Sequence, residues 1–349
     1  MPTGTLHIDL EAVAANWRAL DALSARDCET GACVKADGYG LGAEPVAARL
    51  MAEGCRAFFV ASADEGAVLR RHVGPEPRIY VFYGHMPGDT AMLTGADLVP
   101  LLCSVAQLTT HLEAAPRHPF GVQLDTGMNR LGLKMADWAA VAEIALRARP
   151  VLVMSHLASA DDPLSPANEA QLRRFREMTD GISVPRSLAA TGGTLLGAAY
   201  HFDMTRPGIG LYGGAPFAEA QPVVTLDLPV VACLDVAEGE RVGYDGTWTA
   251  PAATRIATVA GGYADGLFRR LSGRFDLMAG PVPCPAVGRV SMDLIGVDVG
   301  HLDADPETLR VLDHRQGVDA LAARAGTIGY EVLTSLGRRY RRAYRGAAR

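Results

Sequence analysis

Between residues 6 and 215, short apolar runs alternate with longer stretches in which apolar side chains recur every three or four positions. Residues 6–10 read as a strand, and 11–24 as a helix with Val13, Trp17, Leu20 and Leu23 on one face. The series continues through strand 31–36, helix 45–52, strand 57–61 and helix 63–72, which Ser62 would cap. Strands 78–83 and 98–103, helix 105–115, strand 120–125 and helix 135–148 follow. Strand 151–156, helix 166–179 and strands 187–191 and 208–212 close it. About eight such repeats predict an α/β fold, a parallel sheet with helical connections. Their count and length favour a closed (β/α)8 TIM-like barrel over an open doubly wound sheet. After Ala218-Glu219-Ala220-Gln221-Pro222 the texture changes to short β-rich segments at 223–228, 230–236, 255–259, 286–290 and 294–299, parted by Gly-, Pro- and Asp-rich turns. The expected organisation is a barrel over 1–218 and a mainly β domain over 219–349.

Composition narrows the partners. With 49% hydrophobic and 21% charged residues, the chain has the balance of a soluble globular protein. A net charge of −6 speaks against nucleic acid, and the Arg-rich segment 338–349 reads as a solvated helix face and tail. The six cysteines, Cys28, Cys33, Cys55, Cys103, Cys233 and Cys284, form no CxxC pair, so free thiols in a reducing cytoplasm are expected and no metal site. Residues 1–10 lack the charged start and long apolar core of a secretory signal, and no run reaches the length of a membrane span.

The unusual polar residues fall at predicted strand ends, where a barrel keeps its active site. Lys35 follows an apolar strand and opens the loop Ala36-Asp37-Gly38-Tyr39-Gly40-Leu41-Gly42. An ammonium there either reaches for solvent or is chemically used, since desolvation makes an amine nucleophilic towards a carbonyl. The lysine precedes the glycines, so this is no nucleotide-binding P-loop. Asp125-Thr126-Gly127-Met128-Asn129-Arg130-Leu131-Gly132, His156, Thr191-Gly192-Gly193 and Arg206-Pro207-Gly208-Ile209 close other strands. Taken singly, Arg130 reads as a surface arginine, His156 as a core histidine and Asp125 as a turn anchor. Thr191, with the free amides after it, is a candidate phosphate site. The β domain adds Gly261-Gly262-Tyr263-Ala264-Asp265-Gly266 and Ser291-Met292-Asp293.

Together with Arg206-Pro207-Gly208-Ile209-Gly210-Leu211-Tyr212-Gly213 and Gly326-Thr327-Ile328-Gly329-Tyr330-Glu331, these segments resemble the alanine racemase family almost end to end. The resemblance implies pyridoxal 5'-phosphate held by Lys35. It also implies two bases on opposite faces of the substrate α-carbon, Lys35 for D-alanine and Tyr263 for L-alanine. Tyr39, Thr191, Gly208, Ile209 and Tyr330 would hold the phosphate. Arg206 would face the ring nitrogen, with His156 beside it, and Arg130 and the Met292 amide would hold the substrate carboxylate. Gln123 and Asp293 would support these groups. Tyr263 and Met292 would come from a second copy, so a homodimer with shared sites is implied. The implied role is D-alanine supply for peptidoglycan, or alanine catabolism.

Two positions depart from the family pattern. Gln123 stands where many members have a lysine, often carbamylated, that orients the arginine; a neutral amide can hydrogen-bond to Arg130 but brings no negative charge, and an anion would have to supply it. Ala190-Thr191 replaces a common Asn-Ser pair. A racemase of another small amino acid such as serine, a non-catalytic pyridoxal-phosphate barrel protein and a barrel with a structural Lys35 are the competing readings. Related decarboxylases pair the ring nitrogen with a carboxylate, and Arg206 argues against them.

Overall fold

A computed structural model describes residues 4–346, so the outermost positions of the two terminal segments, 1–3 and 347–349, lie outside the described residues. The chain divides into two compact units, one of Val13–Gln221 and one joining the residues up to Ala12 to Pro222–Gly346. Among the described residues no helix is long and apolar enough to cross a membrane.

In the first unit seven parallel strands run in chain order: Ala32–Cys33, Ala57–Val60, Arg78–Val81, Val99–Leu102, Gly121–Gln123, Leu152–Met154 and Arg186–Ser187. Strand Met204–Thr205 pairs parallel with Glu29–Thr30, which runs directly into Ala32–Cys33. Main-chain bonds from Asp203 N to Arg186 O (3.0 Å) and from Gly31 N to Thr205 O (2.9 Å) carry the pairing across the gap. The result is a closed (β/α)8 barrel. Phe58, Phe59, Tyr80, Val81, Leu101 and Leu102 are fully buried, as expected of parallel strands covered on both faces. Helices Ala43–Ala52, Ala63–Val73, Val105–Ala114, Met135–Arg147 and Pro166–Thr179 connect them. Ser62 and Ser104 cap two of these, their hydroxyls accepting from Glu65 N at 3.3 Å and Gln107 N at 3.2 Å.

The strand expected at 6–10 is not a barrel strand. Thr5–Asp9 pairs antiparallel with Val224–Val236 and parallel with Arg341–Arg345, in the other unit. The reason lies in its alternation: Leu6 and Ile8 are buried while His7 is exposed, a period of two that suits a sheet with one solvated face. Lys35 therefore follows the first barrel strand, not the second, and the later site segments move down by one. The expected strand 208–212 is a 3-10 turn, Ile209–Tyr212, and Thr191 opens the short α-helix Thr191–Leu195.

The second unit is a closed six-stranded antiparallel barrel. Around it run Val224–Val236, Thr308–Leu312, Asp276–Ala279, Val282–Val287, Leu294–Asp298 and Thr254–Ala260, the last pairing back on Val224–Val236. Val224–Val236 pairs with three strands, Thr308–Leu312, Thr254–Ala260 and Thr5–Asp9, and its register shifts near Leu226 and Val230, bulges that bend it round the corner. Two helices that the sequence reading did not anticipate, Val318–Ala325 and Gly329–Ser335, complete the unit. The Arg-rich end is no helix face: Arg341–Arg345 is a strand.

Candidate active site

The carboxyl end of the first barrel strand carries the most strained backbone of that unit. Directly after Lys35, Ala36, Asp37, Gly38 and Tyr39 take φ values of 53°, 53°, 63° and 56°. A left-handed conformation costs about 1–2 kcal/mol for each residue with a side chain. Local bonds offset it: Gly38 N to Val34 O, Gly40 N to Ala36 O and Gly42 N to Asp37 O, all 2.8 Å. Asp37 Oδ1 accepts from Ala43 N at 2.9 Å. Glu65 supplies the rest. Its Oε1 accepts from Ala36 N at 2.9 Å and its Oε2 from Ala61 N at 2.8 Å. One carboxylate thus ties the Lys35 turn to the end of the next strand.

Lys35 Nζ lies 5.6 Å above the centre of the Phe82 ring and makes no ion pair among the described residues. It lines a cavity of about 480 Å³ with Glu65, Phe82, Tyr83, Gln123, Arg130, Met154 and His156. Glu65 and Phe82 escaped the sequence reading. A glutamate in a helix first turn looks like ordinary dipole compensation, and an aromatic at a strand end looks like core.

Arg206 is 2% exposed. Its guanidinium donates to Ser155 O at 2.9 Å, Leu188 O at 3.4 Å and the Ser187 hydroxyl. Burial pulls its pKa down to about 10, so it stays charged at neutral pH. It also donates to His156 Nδ1 at 3.4 Å. Burial, followed by the positive charges of Arg206, Arg130 and Lys35, pushes His156 down to about 3. The imidazole is therefore neutral, accepting at Nδ1 with its N–H at Nε2.

Tyr39, Thr191, Gly208 and Ile209 form a second group. A side chain at Gly208 would set its Cβ 2.3 Å from the Tyr39 hydroxyl oxygen, so only glycine admits that approach. Thr191 Oγ1 accepts from Gly208 N at 3.0 Å and Gly210 N at 3.2 Å. Tyr39 stacks on Tyr212, with ring centroids 4.6 Å apart. Ala190 contributes no side-chain hydrogen bond at this turn.

Arg130 is exposed at the cavity rim. The loop carrying it is folded by Asp125, whose Oδ1 accepts from Gly127 N and Asn129 N, both at 3.0 Å, so Asp125 is the turn anchor. The bond allowed for between Gln123 and Arg130 is not made. Gln123 Nε2 donates to Leu131 O at 3.4 Å, and its buried Oε1 has no partner.

In the other unit Tyr263 opens the short turn Tyr263–Asp265. Tyr263 and Met292 are 42% and 53% exposed. Their segments are laced together by bonds from Tyr263 N to Ser291 O (3.0 Å), Ala264 N to Met292 O (3.0 Å) and Gly261 N to Asp293 O (2.8 Å). Gly262 makes this possible, since a Cβ there would lie 2.3 Å from Ser291 O and 2.4 Å from Met292 O. Tyr330 stands on helix Gly329–Ser335.

Similarity searches agree with this architecture. Residues 8–216 match the family described as alanine racemase, N-terminal domain, and residues 223–344 the alanine racemase, C-terminal domain. A protein named alanine racemase from Cereibacter sphaeroides is 63% identical over 344 residues, 99% of each chain. One from Rhizobium meliloti is 44% identical, covering 98% of this chain and 97% of its own. Among solved structures, alanine racemase from Bartonella henselae with covalently bound pyridoxal phosphate superposes with a TM-score of 0.93 at 32% identity, covering 99% of this chain and 100% of that one. With both halves matched in order and full-length relatives at this identity, the chain belongs to the alanine racemase family.

Proposed function

We propose that this chain interconverts L- and D-alanine with pyridoxal 5'-phosphate as cofactor. The observation that carries the reading is Lys35, an amine without an ionic partner among the described residues, set in a barrel cavity beside a neutral His156. The residues present fit the cofactor. Lys35 would hold it covalently and Arg206 would face its ring nitrogen. Tyr39, Thr191, Gly208, Ile209 and Tyr330 would hold its phosphate. When bound, the cofactor serves as the electron sink that makes the substrate α-hydrogen acidic.

The chain's own groups then move the proton. The Lys35 amine takes or returns it on one face of the α-carbon, and the Tyr263 phenol does so on the other, so removal on one face and return on the other inverts the centre. Arg130 and the Met292 N–H hold the carboxylate, the arginine by two-point recognition. Arg206 only donates hydrogen bonds. Facing the ring nitrogen, it would leave that atom unprotonated and the electron sink weak, which would favour immediate proton return over side reactions. We read the assembly as a cytoplasmic homodimer in which Tyr263 and Met292 serve the Lys35 of the other copy. Its product would feed peptidoglycan synthesis or its activity alanine catabolism.

The test is α-hydrogen exchange and optical rotation in heavy water, with pyridoxal phosphate and either enantiomer. Racemisation in both directions, abolished in Lys35→Ala and strongly reduced in Tyr263→Phe, is expected. Cofactor binding without exchange on alanine would overturn the substrate assignment.

A further inference from the structure

Arg339 stands between helix Gly329–Ser335 and strand Arg341–Arg345, in the stretch that reads from sequence as a solvated tail. Its guanidinium faces two carboxylates. Nε donates to Asp265 Oδ1 at 2.6 Å, Nη2 to Asp265 Oδ2 at 2.7 Å and Nη1 to Asp293 Oδ1 at 2.7 Å. Asp265 is fully buried, and its Oδ2 also accepts from Gly262 N at 3.1 Å. Arg339 is itself 45% exposed, but its bidentate grip falls on a fully buried carboxylate, unlike a surface ion pair in which both partners are exposed and loosely held.

The two carboxylates sit at telling places. Asp265 follows Tyr263 by two residues, and Asp293 follows Met292 directly. The segments on which they stand continue the antiparallel pair of Thr254–Ala260 with Leu294–Asp298, where Ala260 faces Leu294, and beyond it they meet through the three main-chain bonds and the Gly262 approach described above. The Met292 carbonyl is committed to Ala264 N, while the Met292 N–H has no protein acceptor among the described residues. A slip between the segments would move the phenol and this free N–H relative to each other. The planar guanidinium, bound at one edge to Asp265 and at its remaining nitrogen to Asp293, opposes such a slip.

We propose that Arg339 is a positioning residue that holds the Tyr263 phenol and the Met292 amide in one fixed register. This rests on the racemase reading and deepens it: the proton-transferring group and the carboxylate-holding group of this unit are set by one side chain, remote in sequence from both. Lysine, a point charge on a flexible stem, can neutralise Asp265 but cannot span both carboxylates. Arg339→Lys thus spares the buried charge while releasing the register, and Asp293→Asn weakens the second contact alone.

Two measurements decide it on the holoenzyme. The first is kcat and KM with the α-deuterium isotope effect in each direction. Because the enantiomers have equal free energy, kcat/KM must fall equally both ways, by about 10- to 100-fold for a displaced reacting group. The isotope effects need not move together. In Arg339→Lys the effect on kcat/KM should rise for L-alanine, whose α-hydrogen goes to Tyr263. It should fall towards unity for D-alanine, whose α-hydrogen goes to Lys35. KM should rise as well, and Asp293→Asn should show the same pattern more weakly. The second is amide hydrogen exchange, which needs no turnover: residues 261–265 and 291–293 should exchange faster in Arg339→Lys while barrel strands are unchanged. Wild-type isotope effects and exchange rates, or isotope effects that shift in parallel in both directions, would overturn the proposal. If Tyr263→Phe leaves racemisation intact, the catalytic reading falls, and the exchange data still decide the clamp.

Discussion

Replacing Glu65 tests how the lysine is presented. Its carboxylate accepts two main-chain N–H groups, from Ala36 and Ala61, at 2.9 and 2.8 Å. A hydrogen bond to a charged group contributes about 1.5–3 kcal/mol, and at this half-exposed site the lower end applies. Glu65→Ala should therefore cost about 3 kcal/mol, and Glu65→Gln, which keeps one carbonyl acceptor, about half that. The loss falls on a backbone already strained by about 1–2 kcal/mol at each of Ala36, Asp37 and Tyr39. The turn should relax, taking the Lys35 side chain out of its direction. The expected result in Glu65→Gln is a thermal midpoint lower by a few degrees, slower development of the lysine–cofactor absorbance and a kcat reduced on the order of tenfold, the equivalent of about 1.4 kcal/mol. KM should change little, since Arg130 and Met292 are not involved. Asp64→Ala is the control, because it removes a charge from the same first helical turn but no bond to the Lys35 loop. Glu65→Ala with wild-type midpoint, absorbance and kcat would refute the reasoning and assign the turn to its own internal bonds. An equal loss in Asp64→Ala would assign the effect to helix electrostatics.

Two further outcomes follow from single distances and charges. Gly208→Ala places a Cβ 2.3 Å from the Tyr39 hydroxyl, so cofactor affinity should fall roughly tenfold for one lost charge-assisted bond, measured by absorbance titration, and displacing the buried Tyr39 ring should also lower the stability of the cofactor-free protein by about 1–3 kcal/mol. His156 is held near 3 in the fold, below its unfolded value, so it binds fewer protons folded than unfolded; its contribution is present above about pH 6.5 and lost as pH falls from there towards 3. Buried His85 and His111, lowered chiefly by desolvation, act in the same sense. Denaturant stability should drop between pH 6.5 and 4, by at most about 1.4 kcal/mol per pH unit for each histidine, and His156→Gln should make the slope shallower.

The barrel was legible because its strands are short unbroken apolar runs and its helices keep a strict apolar face, two periods that are hard to confuse. Two expected strands were misplaced: Thr5–Asp9, whose alternation differs from the rest and was itself readable, and 208–212, which is the 3-10 turn Ile209–Tyr212. What was not readable is the closing of 29–33 on 204–205: two-residue pairings around Gly31 carry no pattern of their own. Helices Val318–Ala325 and Gly329–Ser335 are two turns long and flanked by glycines, too short for periodicity to emerge from a β-rich background.

The site divides along the same line. Lys35 stands out because an ammonium at the end of an apolar strand is costly, whereas Arg206 and Tyr263 are marked in the sequence only through the family resemblance. Glu65, Phe82 and Arg339 do not stand out, since a first-turn glutamate, a strand-end phenylalanine and an arginine in a basic tail are each the commonest thing to find there. Only distance assigns them. Glu65 becomes informative at 2.9 Å from the Ala36 amide, and Arg339 at 2.6 and 2.7 Å from two carboxylates separated from it by 74 and 46 residues. An ammonium at the end of an apolar strand, such as that of Lys35, announces itself by its own energetic cost. Side chains that cost nothing alone, such as Glu65 and Arg339, become visible only once the chain has brought their partners to them.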